Sequence, residues 1–115
     1  MAKYVVLWTS QERATVVSIT DGVENVLHVE SKAKRGAEAK GRRNHHEHYR
    51  EVNRAIGDAQ EIFIFGPAQA KMELKLEILK SGTPSQRVVG TETADTMTKN
   101  QLLAWARLVC RSRVV

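Results

Sequence analysis

Three of the four histidines in this chain, His45, His46 and His48, crowd around Glu47. On a helix, His45 and His48 are three residues apart and share a face, which suits zinc if Glu47 or the distant His28 completes the set. Catalytic zinc asks for three convergent protein ligands, however, and no second ligand pair stands at a recognisable spacing. Beside so many lysines and arginines, the histidines are better read as extending a basic patch that gains charge as pH falls. No metal and no cofactor is expected.

Carboxylates come next. Two-metal phosphodiester hydrolysis needs several acids converging on a sheet, usually one of them within the first strand. The first strand-like run, KYVVLWT, has none, while Glu30, Glu92 and Asp95 are scattered. No catalytic residue is assigned, and the reading leans away from an enzyme. The run Gly66-Pro67-Ala68-Gln69-Ala70-Lys71 follows a strand and opens a helix, so Gly66 and Lys71 form a candidate anion-binding turn. It lacks the glycine spacing of the dinucleotide and P-loop fingerprints, and a plain strand-to-helix turn is the competing reading. The single cysteine, Cys110, excludes an intramolecular disulfide and falls on the apolar stripe of a helix, where an inert buried thiol is expected.

Charge is the lopsided feature. Between positions 32 and 50, seven basic side chains oppose Glu38 and Glu47, an excess equal to the formal net charge of +5 for all 115 residues. Lys32, Lys34, Arg35, Lys40, Arg42 and Arg43 are separated by Ala33, Gly36, Ala37, Ala39 and Gly41, small residues that let a backbone follow an irregular phosphate chain. These six are the candidate RNA-binding residues. No aromatic is interleaved among them, so contact through phosphates and shape is expected rather than base stacking. A solvated connection kept charged for solubility is the alternative.

The elements that must carry these groups follow from periodicity. Residues 4–9, 13–20 and 23–29 are rich in Val, Ile, Thr and aromatics and predict three strands, with Asp21-Gly22 as a two-residue hairpin turn. Asn44 to Glu47 has the pattern of a capping box, and Tyr49, Val52 and Ile56 make the apolar face of a helix ended by Gly57. EIFIF at 61–65 predicts a central strand covered on both faces. Pro67 then opens a helix whose stripe is Ala68, Met72, Leu76 and Leu79, closed by Gly82. A short strand at 87–90 precedes a second capping box, Thr98 to Gln101, and a helix with Leu102, Ala106 and Val109 inward. The order β-β-β-α-β-α-β-α, three antiparallel strands and then strand–helix units, predicts the α/β mixed sheet of the ribonuclease H-like fold.

From residue 35 onward, RGAEAKGRRNHHEHYREVNRAI, EIFIFGPAQAKMELKLEIL and RVVGTETADTMTKNQLLAWAR resemble the middle domain of archaeal and eukaryotic class-1 release factors and of Pelota. The chain is also similar to small bacterial proteins described as translational machinery proteins, whose GPxxAK and VVGxETxDxxTxxQL stretches resemble residues 66–71 and 88–102. The resemblance implies a ribonuclease H-like fold and contact with the ribosome or RNA. In the release factors the loop carries Gly-Gly-Gln, which positions water for peptidyl-tRNA ester hydrolysis. Here the loop holds single glycines, Gly36 and Gly41, so that chemistry is not carried over.

The expectation is one domain over 1–115, with a basic loop at 31–43 between the third strand and the first helix. Its expected function is non-enzymatic binding of RNA or the ribosome. The alternatives are a small enzyme or ligand-binding protein using the Gly66–Lys71 turn, and a homo-oligomeric interaction module. One cysteine, no signal peptide and no long apolar window predict a cytoplasmic location and no membrane partner.

Overall fold

The computed structural model describes residues 3–30, 42–81 and 86–114. Its elements run β1 Lys3–Thr9, β2 Arg13–Thr20, β3 Val23–Glu30, α1 Arg42–Ile56, β4 Glu61–Gly66, α2 Ala68–Ser81, β5 Val88–Thr93 and α3 Lys99–Val114. The sheet order is β3-β2-β1-β4-β5. β1 pairs antiparallel with β2 and parallel with β4, and β4 pairs parallel with β5. This is the ribonuclease H-like arrangement that the element order predicts.

Strand alternation sends side chains to two helical layers. Val5, Leu7, Val16, Ile62 and Ile64 face α1 and α2, where Val52, Ile56, Leu74 and Ile78 cover them. Val6, Trp8, Val17, Ile19 and Phe65 face α3, which covers them with Leu102 and Ala106. Trp105 stacks over Phe63 with ring centroids 6.2 Å apart. Arg107 reaches from α3 to Glu24 on β3 through two hydrogen bonds of 2.7 and 3.0 Å. The guanidinium lowers the Glu24 pKa, chiefly through those hydrogen bonds. The pair is solvent-exposed, so it orients α3 more than it stabilises the fold.

Local signals explain most boundaries. Asp21 and Gly22 have φ of 52° and 82°, the left-handed pair that a two-residue turn between right-twisted strands requires. Gly57, at φ 66°, closes α1 with its amide donating to the Asn53 carbonyl at 3.2 Å. At the start of α3 the capping box is reciprocal. The Gln101 amide donates to Thr98 Oγ1 at 3.1 Å, and the Thr98 amide donates to Gln101 Oε1 at 2.8 Å.

Three expectations need correction. α1 begins at Arg42, so Arg42 and Arg43 belong to the helix, and Asn44 lies within its first turn, where it cannot be the cap. β5 runs from Val88 to Thr93 rather than from 87 to 90, because its parallel pairing with β4 continues as far as Gly66↔Thr93. Most consequential, α2 buries the opposite face. Met72, Leu76 and Leu79 are 48%, 60% and 71% exposed, whereas Ala70, Leu74, Glu77 and Ile78 are buried. The helix carries an apolar row on each side, and the one that packs includes a glutamate. Periodicity therefore selects the wrong row. The helix end expected at Gly82 lies outside the described residues.

No helix among the described residues is long and apolar enough to cross a membrane. The face assignment of α2 is directly testable by urea unfolding. Ile78→Ala should cost about 2–5 kcal/mol, and Leu76→Ser should change stability by no more than about 0.5 kcal/mol; the reverse ranking would place the core on the other row.

Candidate functional site

The chain leaves β3 at Glu30 and re-enters the described structure at Arg42, the first residue of α1. Because β3 runs parallel to β1 and β4, the basic segment is bounded by the same end of the sheet where β1, β4 and β5 finish. Ligands of open α/β sheets characteristically sit outside the carboxyl ends of the strands, beside the point where strand order reverses. Of the candidate RNA-binding residues, Lys32, Lys34, Arg35 and Lys40 lie outside the described residues, while Arg42 and Arg43 are placed by backbone in the first turn of α1.

One of the clustered histidines is placed far from the role expected of a basic patch. His48 is 2% exposed, with Nε2 lying 3.4 Å from Thr9 Oγ1 at the end of β1. It belongs to the packing of α1 on the sheet, not to an outward cationic surface, because the helix turns position 48 inward together with Tyr49 and Val52. His28, on β3, sits directly opposite Thr15 of β2, with Nδ1 at 3.3 Å from Thr15 Oγ1. Among the described residues no group of three or more His, Cys, Asp or Glu side chains stands where it could hold a metal ion.

Tyr49 anchors the middle of α1 to α2. Its hydroxyl donates to Glu73 Oε1 at 2.7 Å, and Gln69 Nε2 donates to the other carboxylate oxygen at 3.1 Å. Burial raises the phenol pKa, and the hydrogen bond to the Glu73 carboxylate and its negative charge raise it further.

The Gly66–Lys71 turn closes the same end of the sheet. Gly66 has φ 155°, and a Cβ there would collide with the Thr9 carbonyl oxygen, so β4 passes tightly against β1 at this point. The Ala94 amide donates to the Gly66 carbonyl at 3.1 Å, drawing the chain after β5 to the same place. Lys71 Nζ donates to Thr93 Oγ1 at 2.7 Å. Both candidate anion-binding residues thus have structural work: Gly66 permits the close approach, and Lys71 ties α2 to β5.

A cleft that sequence reading did not assemble opens at this end on the α3 side. It has a volume of ≈330 Å³ and is lined by Trp8, Arg13, Thr15, His28, Glu30, Thr96 and Met97, among others. The signal for it was present. An Asp21-Gly22 two-residue turn sets the register of β2 and β3, and that register pairs Arg13 with Glu30 and Thr15 with His28.

No protein-family model matches the chain, and no curated protein sequence does. Solved structures do. Ninety per cent of the chain superposes on the Pelota protein of Thermoplasma acidophilum with a TM-score of 0.66 at 15% identity. Archaeoglobus fulgidus Pelota matches 92% of it with a TM-score of 0.60 at 14% identity. An archaeal translation termination factor matches 90% with a TM-score of 0.54 at 12% identity. The matched portion makes up 31%, 31% and 33% of those chains, so this protein spans about a third of their length. The likeness is one of fold.

The Tyr49 link has a defined pH signature. A phenol whose pKa is raised on folding contributes stability that is complete below its ordinary value of 10.0 and declines as pH rises above it. The stability advantage of the native chain over Tyr49→Phe should therefore be constant up to about pH 9 and shrink above about pH 10. Urea midpoints from pH 7 to 11.5 would measure it, and an advantage independent of pH would refute a protonated phenol held by Glu73.

Proposed function

We propose that this chain is a non-enzymatic, cytoplasmic binding module that acts in translation by contacting RNA, in the first place ribosomal RNA. On this reading Lys32, Lys34, Arg35, Lys40, Arg42 and Arg43 neutralise phosphates, and the domain presents them at the carboxyl end of its sheet. The observation that carries the proposal is a charge excess of +5, equal to the net charge of the whole chain, within residues 32–50, which run from the connection after β3 into α1. The fold shared with Pelota and an archaeal termination factor supports a translational setting. The GPxxAK-like and VVGxETxDxxTxxQL-like stretches at 66–71 and 88–102 support kinship with small bacterial translational machinery proteins. Without Gly-Gly-Gln, the module binds where a release factor would also hydrolyse.

Electrostatic binding has a quantitative mark. Each neutralised phosphate releases condensed cations, so six contacts predict a slope of roughly −4 in log affinity against log salt on a flexible RNA. Sedimentation of the tagged chain with ribosomes should show co-migration at low salt that disappears at high salt. Replacing all six basic residues with alanine or glutamine should abolish co-sedimentation while the circular dichroism spectrum and melting temperature stay unchanged. A flat salt dependence would overturn the mechanism.

A second reading, a homo-oligomeric interaction module, is favoured by one feature. β3 is an edge strand whose Val23 and Leu27 are 60% and 50% exposed, a template on which another strand could pair. Light scattering over a concentration series distinguishes the two: a constant monomer mass removes this reading, and a dimer that dissociates in Leu27→Lys supports it.

A further inference from the structure

The ≈330 Å³ cleft beside β3 contains an electrostatic arrangement that the packing of the domain does not require. Arg13 and Glu30 are direct register partners on neighbouring antiparallel strands, the placement in which opposite charges attract. Among the described residues no ion pair joins them; both instead line the cleft. Side by side on neighbouring strands they offer a fork of N–H donors next to a pair of carboxylate acceptors. Trp8, across β2 from β3, and Met97 line the same cleft. The Trp8 indole has already committed its N–H to the Ala94 carbonyl at 3.1 Å, so what it offers a ligand is apolar ring.

Such a lining suits an occupant with an apolar ring that carries acceptors along one edge and donors along the next. We propose that the cleft binds a guanine base, carried by a free guanosine nucleotide or by an unpaired guanosine of an RNA; the RNA source rests on the function proposed above. Guanine presents O6 and N7 as acceptors, the pair that an arginine fork meets in bidentate fashion. Its N1–H and N2 amino group are donors on the adjoining edge, and a carboxylate accepts from both. Adenine reverses this pattern: N1 would set a lone pair against Glu30, and N6–H would meet Arg13 donor to donor. His28 lines the same cleft, and with Nδ1 engaged by Thr15 its Nε2 is the nitrogen left for a ribose or phosphate. The volume lies at the small end of the range of about 300–1,000 Å³ for ligand sites, which suits one nucleoside rather than a dinucleotide.

Calorimetric titration of the full chain tests this with guanosine 5′-monophosphate, adenosine 5′-monophosphate, an all-uridine heptamer, and the same heptamer with one central guanosine. The guanosine nucleotide should bind saturably and about tenfold or more tightly than the adenosine nucleotide. Glu30→Gln and Arg13→Ala should each weaken it by about tenfold or more at an unchanged melting temperature, and Glu30→Gln should erase the preference over adenosine. If the source is RNA, the central guanosine should strengthen heptamer binding about tenfold, and Glu30→Gln should remove that increment while leaving the salt slope in place. A free nucleotide that binds as tightly as the guanosine heptamer identifies the other source. The all-uridine heptamer reports phosphate contact alone. Its failure to bind beside a bound guanosine nucleotide would sink the RNA reading and leave the nucleotide cleft. Its binding with no gain from guanosine would likewise remove the RNA source, and equal affinity for the two mononucleotides or unchanged affinity in both variants would overturn the cleft.

Discussion

β1 is paired on both edges and buried on both faces, and the rest of the molecule is arranged around it. On one edge its ladder is antiparallel, and on the other it is parallel. Val5 and Leu7 enter one core while Val6 and Trp8 enter the other, so a single strand anchors both helical layers. A strand in this position tolerates no ionisable side chain along its covered length, because a buried charge without a partner costs several kcal/mol. That constraint accounts for the unbroken apolar run between Tyr4 and Thr9.

The change from antiparallel to parallel pairing at β1 also decides where chemistry gathers. β1, β3, β4 and β5 all finish at one end. Thr9 meets His48 there, Gly66 passes over the Thr9 carbonyl, and Lys71 reaches Thr93. The same end bounds the basic segment and holds the cleft between β1, β3 and the chain before α3. A polyanion drawn to the segment would thus meet a cleft whose groups discriminate, which is the usual division between phosphate contacts that position and base contacts that specify.

Legibility from sequence followed the range of the interactions. The Asp21-Gly22 turn, the Gly57 helix end and the Thr98–Gln101 capping box are written in residues a few positions apart, and each forms as the sequence implies. EIFIF reads as a doubly covered strand because both faces of the run are apolar, and β4 is one. α2 defeated the same reasoning. Its two apolar rows are nearly equivalent locally, and the choice between them was made by the sheet, which took Ala70, Leu74 and Ile78 together with Glu77 and left Met72, Leu76 and Leu79 outside. His48 was misplaced for a related reason: a histidine among lysines and arginines reads as surface until the phase of the helix on the sheet is known.

By itself, the sequence determined the order and type of the elements, the two-residue hairpin with its register, and the gathering of positive charge into one segment. Each of these depends on backbone preference, side-chain period or formal charge, all properties of neighbouring residues. Only the tertiary structure decided which row of α2 is core, that His48 and Thr9 meet, and that Trp8, Arg13, His28, Glu30 and Met97 share a cleft. Those outcomes turn on how helices settle across a twisted sheet, where packing partners as far apart as Trp8 and Ala94 are joined by one hydrogen bond that no local pattern encodes.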